Sequence, residues 1–314
     1  MAGEMEKLIT VRIPATSANL GPGFDCMGLA LDLWNTFELY RGEGSGISVA
    51  SHGEGQDVLP SDASHLVAHT MLEELNLHAP FDARSQAYHI VCHNHVPCAS
   101  GLGSSSTAVL AGLLFAHALL DSSILRTSAG LAQVLRRAFE IEGHGDNVAP
   151  ALLGGLVVVA SHNSEVIAHK IELPPLRLVA CVPRFHFMTA HARSVLPPRY
   201  ARSDAVFNIG RAILVAEALR TANAQLLAKA MDDRLHEPYR LPAIPGAIEA
   251  KRAALAHGAY AVSLSGAGPG ILAFADENHE AIGQAMQSAF ASAGGLSARY
   301  WILNVSLAGA QIIV

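Results

Sequence analysis

The stretch ASGLGSSSTAVLAGLLFAHALL, residues 99–120, sets two glycines and a serine cluster directly ahead of a long apolar run. Glycines that turn the chain into a helix start leave backbone N–H groups at the positive end of the helix dipole. That arrangement is a ready anion cradle. Yet the loop holds no lysine; the chain's four lysines are Lys7, Lys170, Lys229 and Lys251. A Walker loop, which needs G-x-x-x-x-G-K-[ST], is therefore excluded. The protein-kinase glycine loop and its downstream signatures are missing too. A dinucleotide fingerprint would need its third glycine where Ser106 stands.

What remains is physical. Gly101 and Gly103 let the backbone approach an anion closely, and serine hydroxyls can donate to phosphate or coordinate magnesium, a hard cation that favours oxygen. The same residues could equally form a capped helix, with the serines only satisfying first-turn N–H groups.

The 314 residues suffice for a large core and two domains, and 51% hydrophobic with 15% charged residues suits a compact soluble enzyme. A net charge of −6 argues against a broad electrostatic grip on nucleic acid. The four cysteines form no C-x-x-C pair, so reduced thiols in a cytoplasmic setting are expected, with Cys98 a small buried apolar residue. The opening MAGEMEKLIT has no apolar signal core. No segment reaches the roughly 18 uninterrupted apolar residues of a membrane span, and residues 107–120 read as a buried helix.

Along the chain, residues 8–20 begin as a short strand that meets Pro14, and residues 23–40 continue as strand after the Gly21-Pro22-Gly23 turn. Residues 42–60 read as surface hairpin turns. A helix is predicted over 61–77 with Ser61 or Asp62 as N-cap, a strand over 87–97, and helices from Ser104 and over 127–143. Residues 151–162 read as a glycine-rich turn and a buried strand, and 170–183 as strands broken at Pro174-Pro175. Helices follow around 203–231 and 246–257, then strands at 260–266 and 270–276. With no regular βαβ alternation, the fold class expected is α+β. The domain boundary falls between residues 155 and 180, giving units 1–165 and 166–314.

Several motifs together resemble the GHMP small-molecule kinases. PCASGLGSSSTA, residues 97–108, resembles that family's P-x-x-x-G-L-G-S-S-A loop, which binds ATP phosphates without a Walker lysine. LSGAGPG, residues 264–270, resembles its second glycine loop. PATSANLGPGFDCMGLALDL (14–33), EGHGDNVAPALLGG (142–155), TAHARSVLP (189–197) and LHEPYRLPAIPG (235–246) are similar to segments of its homoserine-phosphorylating branch.

The resemblance implies a two-domain α+β fold with the nucleotide between the domains, often as a homodimer. The cofactors implied are ATP and Mg2+, the substrate is L-homoserine, and neither nucleic acid nor membrane is a partner. It implies that Pro97, Gly101, Leu102, Gly103, Ser104, Ser105, Ser106 and Thr107 hold the triphosphate, and that Ser105 and Glu142 hold magnesium. Asn19, Asp25, Asn147, Thr189, Arg193, Arg240 and Gly268 would bind substrate, with Asn147 and Asp25 the catalytic candidates. Arginine at 193 and 240 suits a carboxylate, which a guanidinium fork can grip with two bonds. Asp25 and Asn19 suit an ammonium.

The bland alternatives are a surface arginine at either position, turn chemistry at Asn19 and Asp25, and an exposed helix-end acid at Glu142. His65, Ser100, Gly145 and Gly270 depart from the family pattern, and His65 leaves the adenine contacts open. A mevalonate-type kinase and a non-catalytic ligand-binding member of the fold remain as alternatives.

Overall fold

The computed structural model describes residues 5–78, 86–162 and 165–313. Met1–Glu4, the start of the segment read for a signal core, lies outside these residues. Two sheets organise the chain. The larger holds β1 (Glu6–Ala18), β2 (Met27–Gly42), β3 (Gly46–Gly53), β4 (Ala87–Asn94), β5 (Leu156–His162) and β6 (Glu165–Ile171). The second holds β7 (Arg177–Pro183), β8 (Ala261–Leu264), β9 (Ile271–Phe274) and β10 (Ala298–Asn304) in the order β10-β7-β9-β8. A final strand, β11 (Gln311–Ile313), returns to pair antiparallel with β1, so the large sheet runs β11-β1-β2-β4-β3 with β5 and β6 branching from β2. The mixed, mostly antiparallel pairing makes the fold α+β, as expected.

The helices are α1 (Leu66–His78), α2 (Ser104–Asp121), α3 (Ser128–Glu142), α4 (Val148–Leu153), α5 (Thr189–Ser194), α6 (Arg202–Arg220), α7 (Ala224–Ala230), α8 (Glu237–Arg240), α9 (Ala247–Ala256) and α10 (His279–Gly294). The apolar run of α2 is buried from Ser106 to His117, except Ala108, with Leu110 and Leu114 in the same core as Ile13 and Phe37 of the large sheet and Met71 of α1. A helix apolar on every side needs such all-round cover. A second core joins the two sheets through Leu20, Met27 and Leu29 on one side and Ala180, Leu272 and Phe274 on the other. A third seats α9 and α10 on β7, β8 and β9.

Several sequence expectations are corrected. Residues 42–60 are not only turns, because β3 pairs in parallel with β4 along eight positions. The first strand does not stop at Pro14. It shifts register between Pro14, opposite Trp34, and Ala15, opposite Leu31. Such a bulge tolerates a residue without an N–H. Helix α1 starts at Leu66 rather than at Ser61. Asp62 accepts the Ser64 N–H in an Asx turn, and His65 Nδ1 accepts the Val67 N–H at 3.3 Å. Cys98 is exposed rather than buried. Helices α4, α5, α8 and α10, strands β10 and β11 and most of β6 lie in segments to which the sequence reading assigns no such element.

Candidate active site

A cavity of about 480 Å³ is lined from both halves of the chain. At one end lies the start of α2. Gly103 adopts φ 73°, and no side chain caps the helix. The first intrahelical bond runs from Thr107 N–H to Gly103 C=O at 3.1 Å. The N–H groups of the first turn have no intrahelical partner. The capped-helix alternative therefore fails, because the serine hydroxyls point elsewhere. Ser105 and Ser106 both donate to Glu142 Oε2, at 3.3 and 3.2 Å. Glu142 ends α3, where Gly143 at φ 76° stops the helix, and its side chain is only 10% exposed. It is thus not a solvated helix-end acid.

The loop is shaped from beneath. A Cβ on Gly101 would strike the Ser265 carbonyl, and one on Gly103 would strike the Thr16 hydroxyl and lie 3.3 Å from Asn147 Oδ1. Ser100, one of the departures, donates to the Pro97 carbonyl at 2.7 Å and accepts the Leu102 N–H at 3.2 Å, tying the turn. Gly101, Gly103, Ser104, Ser105 and Thr107 face the cavity. Pro97 and Leu102 are buried, and Ser106 is 1% exposed with its hydroxyl on Glu142. Their side chains shape the loop and do not line the cavity.

The second glycine loop is latched onto the first. Ser265 Oγ lies 2.8 Å from both Ser17 Oγ and the Gly101 carbonyl, and Gly270 N–H donates to the Ser100 carbonyl at 3.0 Å. Gly270, another departure, leaves this contact intact. Gly268 lines the cavity at φ 94°.

The other end gathers charge. Asp25 and Arg193 share two hydrogen bonds of 3.1 Å each. Arg240 is 2% exposed and lines the same cavity. Its donors reach the Ala192 carbonyl at 3.1 Å, the His236 Nδ1 at 3.4 Å and the Gly266 carbonyl at 3.5 Å. Burial pushes the guanidinium below its ordinary value, and the nearby Asp25 charge opposes that. A buried cation without a hydrogen-bonded carboxylate calls for an anionic ligand group. Local structure fixes its position. Asp233 accepts the N–H groups of Leu235, His236 and Glu237 and so starts α8, while the His236 Nε2 contacts the Gly21 carbonyl at 2.8 Å. Glu237 does not face the cavity; it accepts the Leu264 N–H at 2.7 Å and Lys251 Nζ at 2.6 Å, bracing the second glycine loop.

Asn19 is more committed than its sequence role suggested. Its Nδ2 donates to the Gly266 carbonyl at 2.7 Å and its Oδ1 accepts the Asp25 N–H at 2.9 Å, so it fixes Asp25 as well as lining the cavity. Asn147 Oδ1 accepts the Thr16 hydroxyl at 2.8 Å. Thr189 lines the wall beside Arg193. Of the six described non-glycine residues with positive φ, Asn19, Leu20, Asp25 and Ala99 lie at or next to this cavity. Backbone strain of this kind gathers where function over-determines the chain.

Sequence reasoning missed Thr16, His144 as a wall residue, and Asp146. Burial alone would push the His144 imidazole down, but the Asp146 carboxylate 2.9 Å away, aided by Glu142, holds it above its ordinary value. His65 also lines the cavity, and burial lowers its imidazole, keeping it neutral beside Phe37, Leu59 and Leu66.

The sequence profile described as GHMP kinases N terminal domain matches residues 65–155, and that described as GHMP kinases C terminal matches residues 215–292. The chain is 39% identical over 308 residues to a homoserine kinase of Desulfitobacterium hafniense, covering 98% of this chain and all of that protein. It is 40% identical to one of Moorella thermoacetica, covering 90% of this chain and 93% of the relative. A crystal structure of homoserine kinase from Cytophaga hutchinsonii superposes with a TM-score of 0.83 at 31% identity, over 97% of each chain.

Proposed function

The chain belongs to the homoserine kinase family of the GHMP kinases, and on that premise we propose that this cavity joins the terminal phosphoryl group of ATP to the side-chain hydroxyl of L-homoserine. The products are O-phospho-L-homoserine and ADP, a step toward threonine in the cytoplasm. The observation that carries the substrate is the set of opposite charges in one cavity: Asp25 beside Arg193, with buried Arg240 behind. An amino acid presents an ammonium and a carboxylate together. A mevalonate-type substrate has the carboxylate but no cation for Asp25, so that alternative is not favoured.

Phosphoryl transfer has a loose transition state, so positioning and charge stabilisation supply most of the catalysis. The N–H groups of Ser104, Ser105 and Ser106 and the dipole of α2 receive phosphate oxygens. Asn147, pinned by Thr16 and placed against Gly103, orients the reacting hydroxyl. Thr189 and Gly268 close the substrate wall. Asp25 is committed to charge pairing and needs no role as a base.

The oxygens of Ser105 and Glu142 suit magnesium, which would neutralise the charge a lysine handles in other phosphate loops. Among the described residues no group of three His, Cys, Asp or Glu side chains is set for a metal. Phosphate and water would therefore complete its coordination. We assign the nucleotide to unit 1–165 and the two arginines to unit 166–314, in a homodimer with no membrane or nucleic-acid partner. The test is a coupled ADP-release assay with ATP and magnesium over homoserine, mevalonate and galactose. Homoserine should be turned over well above the others, and equal or reversed rates would refute the assignment.

A further inference from the structure

Helix α6, Arg202–Arg220, is anchored by one face, where Asn208, Val215, Ala218 and Leu219 are buried. Its opposite face carries Val206, Ile209 and Ile213 at 64%, 63% and 66% exposure. These fall at i, i+3 and i+7, a single stripe along the helix. Isolated exposed apolar residues are ordinary; here three align on one face of one helix.

Gly210 sits in the middle of the stripe. It costs about 1 kcal/mol against alanine in a helix interior. Nothing within its own chain requires it, because a Cβ there would meet no atom within 4 Å. A missing side chain at that point instead lets a second helix approach. The apolar centre is flanked by opposite charges, Arg202 toward the start and Glu217 toward the end. Glu217 already holds Arg220 through two bonds of 2.8 Å, and a carboxylate has capacity for a further donor.

We infer that α6 packs antiparallel against α6 of a second copy of this chain, about a two-fold axis crossing the helix between Ile209 and Gly210. That axis sets Val206 opposite Ile213 of the second copy, Ile209 opposite its Gly210 and Arg202 opposite its Glu217. The contact is self-complementary, as an isologous interface must be; it covers the apolar centre and adds Arg202 of one copy as a second donor to the Glu217 that Arg220 already holds in the other. Glycine at the crossing brings the axes to the short end of the usual helix-packing range. The face rests on the dimeric reading above.

Sedimentation equilibrium of the full chain provides the test, with circular dichroism to confirm folding. The wild type should sediment at twice its 33.0 kDa chain mass. Ile209→Arg should sediment at the single-chain mass with an unchanged helical spectrum. Arg202→Glu and Glu217→Arg should each raise the dimer dissociation constant about tenfold or more, and the double reversal should restore it toward the wild-type value. A monomeric wild type would overturn both the dimer and the face. A dimer indifferent to Ile209→Arg, or weakened by both charge changes without rescue in the double variant, would overturn the face alone.

Discussion

Asp25 and Arg193, 168 residues apart in sequence, bind each other through two hydrogen bonds of 3.1 Å inside the cavity. Their side chains are 37% and 41% exposed, so the pair contributes only about 0–1 kcal/mol to stability. A zwitterion can replace it at small cost, its ammonium taking Asp25 and its carboxylate Arg193. Asp25 sits at φ 54°, a conformation asparagine also tolerates. Asp25→Asn should therefore leave the melting temperature nearly unchanged while raising the homoserine KM about tenfold or more. An unchanged KM would remove Asp25 from the ammonium site.

Arg240 presents the opposite balance, being buried and lacking a hydrogen-bonded carboxylate. Replacing it by alanine deletes the more deeply buried of the two arginines that line the cavity. Arg240→Ala should raise the homoserine KM about 10–100-fold, the worth of a charged hydrogen bond. Arg240→Lys should recover only part of it, because a point charge cannot reproduce the planar fork. A normal KM in the alanine variant would dismiss the carboxylate contact.

Glu142→Gln keeps an acceptor for Ser105 and Ser106 but loses the charge. The fold should survive and the magnesium concentration for half-maximal turnover should rise about tenfold. A magnesium titration identical to the wild type would exclude Glu142 as a ligand.

Gly103 is required twice, by its φ of 73° and by the Thr16 hydroxyl where a Cβ would go. Gly103→Ala should cost about 1–3 kcal/mol of stability and weaken ATP binding more than homoserine binding. Equal effects on both KM values would argue that the loop does not cradle phosphate.

His144 gives a pH signature. Its imidazole is held above the ordinary value in the fold, so protonation favours the folded state. The stabilising effect is complete below the unfolded value, about 6.5, and disappears as pH rises through the raised folded value. The stability difference between wild type and His144→Gln, from urea unfolding, should shrink with rising pH across that window. A difference that grew with pH would show that burial, not Asp146, dominates.

The glycine-serine loop that starts α2 and lines the cavity was legible because its physics is local: two glycines, serines and an apolar helix are contiguous in sequence. The site's long-range half was readable only through family resemblance, since nothing local brings Arg240 beside Asp25. Its position depends on Asp233 starting α8 and on His236 touching Gly21. Cys98 was misread because a small apolar residue beside a loop gives no sign of which side faces the cavity. Strand β3 was missed because its glycine-rich, polar sequence resembles turn chemistry, and only pairing with β4 makes it a strand. Pro14 looked like a strand end because a lost N–H is a local fact, whereas the bulge that accommodates it is set by β2.

The most direct test of the account is a crystal structure with homoserine and a non-hydrolysable ATP analogue. The account predicts the terminal phosphorus against the N–H groups that follow Gly103, with the amino-acid ammonium at Asp25 and its carboxylate at Arg193 and Arg240. A triphosphate seated away from residues 101–107, or an amino acid bound outside this cavity, would contradict it.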